Sequence, residues 1–349
     1  MLFTVILRAS VAAPWQVIKP GGLTKCAHGG EFAFFVSPGT VNKLWFDLQG
    51  GGCCFDALTC LTPIYTSTVD VTATKNMLER RGGLGSETDK RNPVADWTRV
   101  FVPYCTGDAH TGNATASYGV HHMGRVNAFT AIDWVKEHFA STAVETIFVT
   151  GESAGAVASY VIAPWIFAAF PDAKAFHLAD SYAPVFGKTG YNQGWKNWNG
   201  LGIYDSKAVP YLTHDELYPW RSLIAASNTN ATARAFPHAT FASYISNDDS
   251  VETGFYVVEG GGVDGLNWAK AARAALQAAR SAPNFASFIS KGTQHVVLDS
   301  SSMWEKTSNV VGGSDAGKSV VLGDWIVSLL SGAAVPMELD CKPDCILEE

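Results

Sequence analysis

Residues 146–160, T-I-F-V-T-G-E-S-A-G-A-V-A-S-Y, constrain this chain more than any other stretch. An apolar, β-branched run (Ile147, Phe148, Val149) enters a G-x-S-x-G pentapeptide, Gly151 to Gly155 with Ser153 at its centre, and small helix-forming residues follow. That order reads as strand, sharp turn and helix with serine at the apex. The turn is strained, so the positions beside the serine must be small for its side chain to stand clear of the sheet edge. A chain with 33 glycines can carry such a pentapeptide by accident, and only the flanking strand and helix give it meaning.

The chain has 349 residues, 47% of them hydrophobic and 16% charged, enough apolar material for one large core. No Pro/Ser-rich linker, charge block or fixed-period repeat marks a boundary, so residues 14–349 are expected to form a single domain with an inserted cap at about 182–237. A net charge of −7 argues against a nucleic-acid partner, and no basic stripe interleaves with aromatics. No apolar run is long enough to span a bilayer, which predicts a soluble mature protein. Residues 1–13 look like a short signal-type segment interrupted by Arg8, and seven cysteines suit an oxidising compartment. A secreted or extracytoplasmic location follows. Asn113-Ala114-Thr115 and Asn230-Ala231-Thr232 are glycosylation sequons.

Residues 31–36 and 43–48 read as strands around a Ser37-Pro38-Gly39 turn, an expected hairpin. The second strand runs into Gly50-Gly51-Gly52-Cys53-Cys54, a loop whose N–H groups can point at an oxyanion. A strand at 99–104 and a helix at 126–139 precede the elbow strand, making a parallel βαβ unit. A strand at 175–179 ends at Asp180-Ser181, and 182–237 then loses periodicity while concentrating Tyr191, Trp195, Trp198, Tyr204, Tyr211, Tyr218 and Trp220. These rings can cover a pocket or fill core under long loops. A strand at 240–246 ends in Asn247-Asp248-Asp249, an amphipathic helix spans 266–282, a strand at 284–290 leads to His295, and 320–330 closes as a helix.

The expected architecture is therefore an α/β-hydrolase fold: a mostly parallel central sheet, helices on both faces and an irregular aromatic-rich cap. In that fold the triad runs serine, acid, histidine along the chain, each in a loop at the carboxyl end of a strand. After Ser153 the histidines are His177, His214, His238 and His295, and only His295 lies beyond the strand, acid, helix, strand succession. Asp248, Asp249 and Asp180 all remain candidates for the acid. Histidine would accept the serine proton, the acid would fix its tautomer, and N–H groups of Gly51, Gly52 and Ala154 would receive the charge on the carbonyl oxygen.

With Gly50-Gly51-Gly52-Cys53-Cys54, Cys60, Pro103-Tyr104-Cys105-Thr106-Gly107-Asp108, Gly151-Glu152-Ser153-Ala154-Gly155-Ala156, Asp249 and His295 collected, the chain resembles the pectin acetylesterase and Notum family over roughly residues 26–300. The resemblance implies an α/β-hydrolase with a Ser-Asp-His triad and an acyl-enzyme, acting on acyl groups bound to oxygen. It favours Asp249, because a D-x-x-Q pattern is common at the family's acid; here Glu252 replaces the Gln. It also implies a disulfide between Cys54 and Cys60. Cys26 with Cys105, and Cys341 with Cys345, are then the candidate further pairs, leaving Cys53 at the pocket floor. Cysteines of the plant and animal members that are absent here place the chain nearer the bacterial-type branch.

The resulting expectation is a short-chain, acetyl-type esterase acting on a small-molecule or carbohydrate ester, with no metal and no cofactor. A Notum-type lipid deacylase is one alternative, and an inactive hydrolase fold that binds carbohydrate or lipid is another. A metallohydrolase would draw on Asp108, His110, His121 and His122, without an H-E-x-x-H helix or C-x-x-C pair to support it. The sequence leaves the oligomeric state open.

Overall fold

A computed structural model describes residues 14–204, 224–262 and 265–345. The signal-like segment 1–13, His214, Tyr211, Tyr218 and Trp220 lie outside the described residues, as does the middle of the expected cap.

Thirteen strands are present among the described residues. In chain order they are β1 (Gln16–Ile18), β2 (Phe34–Ser37), β3 (Lys43–Leu48), β4 (Thr98–Val102), β5 (Ala114–Thr115), β6 (His121–His122), β7 (Thr146–Glu152), β8 (Lys174–Asp180), β9 (Thr240–Ser246), β10 (Phe285–Ser290), β11 (Thr307–Val310), β12 (Ser319–Val321) and β13 (Glu338–Asp340). Eleven form one sheet in the order β1-β2-β4-β3-β7-β8-β9-β10-β13-β11-β12. The run from β4 to β13 is parallel throughout, and antiparallel pairs occur only towards the two edges.

The central strands are buried on both faces, which is why they read as continuous apolar runs. Their side chains nonetheless divide by the two-residue period. Leu44, Phe46, Ile147, Val149, Phe241, Ile245, Phe285 and Ile289 join one core, and Trp45, Phe148, Tyr244, Ala286 and Phe288 join the other. The first core is closed by helices α2 (Gly124–His138), α3 (Ala154–Ala169), α4 (Ile224–Ala235) and α6 (Gly265–Ala279). The opposite face takes α7 (Leu322–Ser331) and, near β2 and β4, the end of α1 (Val71–Leu78). Between β9 and α6 lies α5 (Ser250–Val258). This is the α/β-hydrolase fold.

The expected hairpin is not formed. β2 and β3 are separated by β4, which pairs antiparallel with β2 (Val36↔Val100) and parallel with β3 (Phe46↔Val100). The turn between them straps across the start of β4: Thr40 N–H donates to Asp96 O at 2.8 Å, and Gly39 N–H to Thr98 Oγ1 at 3.1 Å. The loop must cross two strand spacings, close to 10 Å, which rules out a tight two-residue hairpin turn. The sheet also continues past β10 through β13, β11 and β12, beyond the point where the sequence pattern closes it.

Candidate active site

β7 delivers Ser153 at φ 52°, ψ −122°, the strained geometry of a strand-to-helix elbow. Both flanking glycines are fixed by contact. A Cβ on Gly151 would lie 2.0 Å from Gly155 O, and one on Gly155 would lie 2.0 Å from Leu48 O of the neighbouring strand. The G-x-S-x-G pattern is thus what lets α3 start against β3. At the first turn of α3 Ala156 N–H donates to Ser153 O at 2.8 Å, while Ala154 N–H, at the first helical position, lies too early in the helix for an intrahelical acceptor.

Beside the elbow, the loop after β3 carries Gly51 (φ 149°) and Gly52 (φ 72°). A Cβ on Gly52 would sit 2.0 Å from Ile64 O, so backbone packs on backbone there. The loop is held from several sides: Thr66 N–H donates to Gly51 O (2.8 Å), His110 Nε2 meets Gln49 O (2.8 Å), and Cys54 N–H donates to Gly107 O (2.9 Å). Disulfides join Cys54 to Cys60, Cys26 to Cys105 and Cys341 to Cys345; Cys53 is a free, buried thiol. Asp108, grouped above with three histidines as possible metal ligands, instead accepts from Thr106 Oγ1 (2.5 Å) and from the N–H groups of Gly112 (3.2 Å) and Gly124 (2.7 Å). The clusters of potential ligand atoms among the described residues, Cys54/Cys60/His122 and Asp340/Cys341/Cys345, each contain both sulfurs of a disulfide, which offer no thiolate.

The loops after β9 and β10 bring Asp249 to His295. His295 Nδ1 lies 2.7 Å from Asp249 Oδ2, while Asp249 Oδ1 accepts the N–H groups of Val251 and Glu252, both at 3.0 Å, as the N-cap of α5. Asp249 is fully buried, and its carboxylate is aligned by the helix end and by the imidazole together. Nδ1 therefore carries the hydrogen, and Nε2, buried and with no partner among the described residues, presents its lone pair. Asp248 is exposed and accepts from Asn247 Nδ2 at 2.8 Å. Among the other histidines, His177 bonds Ser159 Oγ inside the core, where burial pushes its pKa down to about 3, and His238 is exposed.

Asp180, the third acid candidate, builds the scaffold. Its carbonyl accepts the Ser153 N–H (2.9 Å), its Oδ2 accepts the N–H groups of Val297 (2.9 Å) and Leu298 (2.8 Å), and its Oδ1 accepts from Ser181 Oγ (2.9 Å). Ser181 Oγ in turn accepts the Val296 N–H (2.8 Å). Both Ser181 (φ 61°) and Val296 (φ 60°) are held in left-handed conformations, as Ser153 is. Burial raises the Asp180 pKa, opposed by these hydrogen bonds.

Beneath the elbow, Arg81 bonds Asp47 (2.7 Å) and Asp299 (2.6 Å) and lies 4.0 Å from Glu152, the residue before the serine. Burial works against the guanidinium's charge, but the carboxylates Asp299, Asp47 and Glu152 overcome it and raise its pKa. Burial pushes Glu152 up to about 7 against the pull of Arg81, and Glu152 Oε1 accepts the Gly50 N–H at 3.4 Å. Nothing in the local sequence announces this cluster, since Asp47, Arg81, Glu152 and Asp299 come from four distant segments.

A cavity of about 40 Å³ opens at Ser153, with Gly52, Cys53, Ala154, Trp198, Glu252 and Glu259 in its wall. A second of the same size, lined by Tyr160, Trp195, Leu201 and Tyr204, shares Val157, Tyr182 and Phe186 with the first.

Comparison with known proteins places these observations in a lineage. Residues 18–182 match the family model described as pectinacetylesterase. The chain is 27% identical over 140 residues to "Palmitoleoyl-protein carboxylesterase NOTUM" of Schmidtea mediterranea, covering 38% of this chain and 26% of that protein. It is 29% identical over 116 residues to "Inactive palmitoleoyl-protein carboxylesterase notum1b" of Danio rerio, covering 32% of this chain and 82% of that one. The matched stretch thus spans about a quarter of the planarian protein's length. A solved structure described as the Wnt deacylase Notum from Drosophila superposes with a TM-score of 0.63 at 16% identity, covering 96% of this chain and 98% of that chain.

Proposed function

Because the chain belongs to the pectinacetylesterase and Notum family of α/β-hydrolases, we propose that it is a serine carboxylic ester hydrolase that removes short acyl groups from oxygen. The observation that carries this reading is the pairing of buried Asp249 with His295, whose Nε2 has no partner among the described residues, on a loop that Asp180 ties to the Ser153 elbow. Ser153 Oγ attacks the ester carbonyl while His295 Nε2 takes its proton; Asp249 holds the tautomer and stabilises the imidazolium. Negative charge on the carbonyl oxygen is met by N–H groups of Gly51, Gly52 and Ala154, each such donor typically worth about 3 kcal/mol. The carbon–oxygen bond to the alcohol then breaks, His295 returns the proton to the leaving oxygen, and water repeats the sequence on the acyl-enzyme.

The 40 Å³ cavity at Ser153 favours a short acyl group, since it has room for only a few atoms. A net charge of −7 disfavours polyanionic substrates such as acetylated polygalacturonate. Three disulfides support an extracytoplasmic location, and among the described residues no helix is long and apolar enough to cross a membrane. We read the chain as one domain with the cap inserted after β8. The second cavity supports one rival, a long-chain deacylase in which the shared wall opens. A serine-directed organophosphonate followed by peptide mass spectrometry should place the adduct on Ser153, and Ser153→Ala should lose all ester hydrolysis while remaining folded. Labelling at another serine would overturn the assignment.

A further inference from the structure

On helix α5 and its C-cap, Glu252, Phe255, Tyr256 and Glu259, spaced i, i+3, i+4 and i+7, line the cavity at Ser153, while Val251, Val257 and Val258 are exposed, at 37%, 39% and 48%. Two acids thus share the cavity-facing side of the helix with two aromatic rings, and buried acid is uncommon unless it is paired.

After burial, Asp249 and then Glu259 push the Glu252 pKa up, and Glu259, Glu252 and Asp108 do the same to the Cys53 thiol. Glu259 accepts one hydrogen bond, from Gly187 N–H at 3.0 Å to Oε2. The Glu252 carboxyl has no hydrogen-bond or ion-pair partner among the described residues, and the Cys53 thiol, 8% exposed in the same cavity, has none either. Burial is the first cause raising the pKa of both acids, and among the described residues no Arg or Lys offsets it for either one. Around them stand the rings of Trp198, Phe255, Tyr256 and Trp268. Acid groups surrounded by aromatic faces can take a cation: burial alone keeps them protonated, an ammonium group beside them favours their ionised form, and the ring faces add the quadrupole attraction.

We propose that this cavity is a specificity subsite for a positively charged ammonium group on the ester substrate, held by Glu252 and Glu259 within the aromatic wall. The inference rests on the esterase reading and narrows its substrate to esters whose short acyl part itself carries the ammonium group, as in an aminoacyl ester.

The test uses hydrolysis of an uncharged aryl acetate by the wild-type protein at constant ionic strength. Ser153-dependent turnover of that ester checks the parent reading by itself. Two cations are then added as competitors beside their uncharged isosteres: ethanolamine against 1-propanol, and choline against 3,3-dimethyl-1-butanol. At least one cation should inhibit competitively at a concentration at least tenfold below its isostere, with that preference falling towards unity in Glu252→Gln and in Glu259→Gln. The wild-type comparison decides the matter even where a variant fails to fold. Inhibition by neither cation, equal potency within both pairs, or an undiminished preference in folded Glu252→Gln and Glu259→Gln would overturn the subsite while leaving the esterase standing.

Discussion

The Ser153 amide donates to the Asp180 carbonyl at 2.9 Å, and the Asp180 carboxylate accepts the Val297 and Leu298 amides, so one residue ties the elbow to the histidine loop. Asp180→Ala would leave two buried N–H groups unsatisfied, at about 1–3 kcal/mol each. The variant should lose about 3 kcal/mol of stability in urea unfolding. Asp180→Asn keeps an acceptor oxygen and should lose less. Equal losses for the two variants would contradict the scaffolding role.

Asp249→Asn should behave in the opposite manner. The amide oxygen can still cap α5 through Val251 and Glu252, so stability should hold, but the side chain no longer enforces Nδ1–H on His295. The expected fall in kcat is about 10⁴, the size seen when the tautomer is wrong in a serine protease. Asp248→Asn, at an exposed position, should change kcat less than twofold. A crippled Asp248→Asn would reverse the assignment.

The Cys54–Cys60 bridge follows immediately on the glycine loop, in which Cys54 N–H is also anchored to Gly107 O. A disulfide closing so short a loop restrains local geometry more than it limits the unfolded chain. The double variant Cys54→Ser/Cys60→Ser should therefore lose kcat by more than tenfold while its unfolding midpoint shifts only slightly. A variant with unchanged kcat would show that the loop is held by its hydrogen bonds alone.

What could be read from the sequence divides along a physical line. The elbow was legible because its requirements are local: Gly151 and Gly155 exclude any Cβ, and β-branched residues precede them. Order along the chain singled out His295, whereas Asp249 was set apart from Asp248 and Asp180 only by the family resemblance. The pairing of β2 with β4 was not, because register between distant strands depends on burial of both faces rather than on either segment's composition. Arg81 and its three carboxylates escaped notice for the same reason, and Asp180, a candidate acid in the sequence, has a role that depends on which amides reach it. Helix α5 is not among the elements read from the sequence, and there Glu252, Phe255, Tyr256 and Glu259 line the cavity while Val251, Val257 and Val258 are exposed.

Those inward acids give stability a pH dependence of defined sign. Burial pushes Glu259 up to about 8 from its ordinary value of 4.5, opposed only in part by the Gly187 N–H. Between those values the folded protein holds a proton that the unfolded chain has released, so the free energy of unfolding falls as pH rises through that window. Glu259→Gln removes this contribution and should flatten the decline between pH 5 and 8 by an amount on the order of a few kcal/mol. Urea unfolding at three pH values measures it. Parallel declines in wild type and variant would mean that Glu259 titrates normally in the folded state.

Chain-length preference is decided by the wall that Val157, Tyr182 and Phe186 form between the two cavities of about 40 Å³. A pocket with room for a few atoms excludes added methylenes instead of gaining their burial energy of about 0.8 kcal/mol each. The values of kcat/KM for aryl acetate, butyrate, octanoate and palmitate should therefore fall steadily as the chain lengthens. Val157→Ala removes two methyl groups from the wall and should join the cavities, raising the octanoate-to-acetate ratio by at least tenfold, mainly by restoring the longer ester. A wild-type maximum at octanoate or beyond would show that the wall already opens when substrate arrives, and the long-chain deacylase reading would then replace the short-chain one.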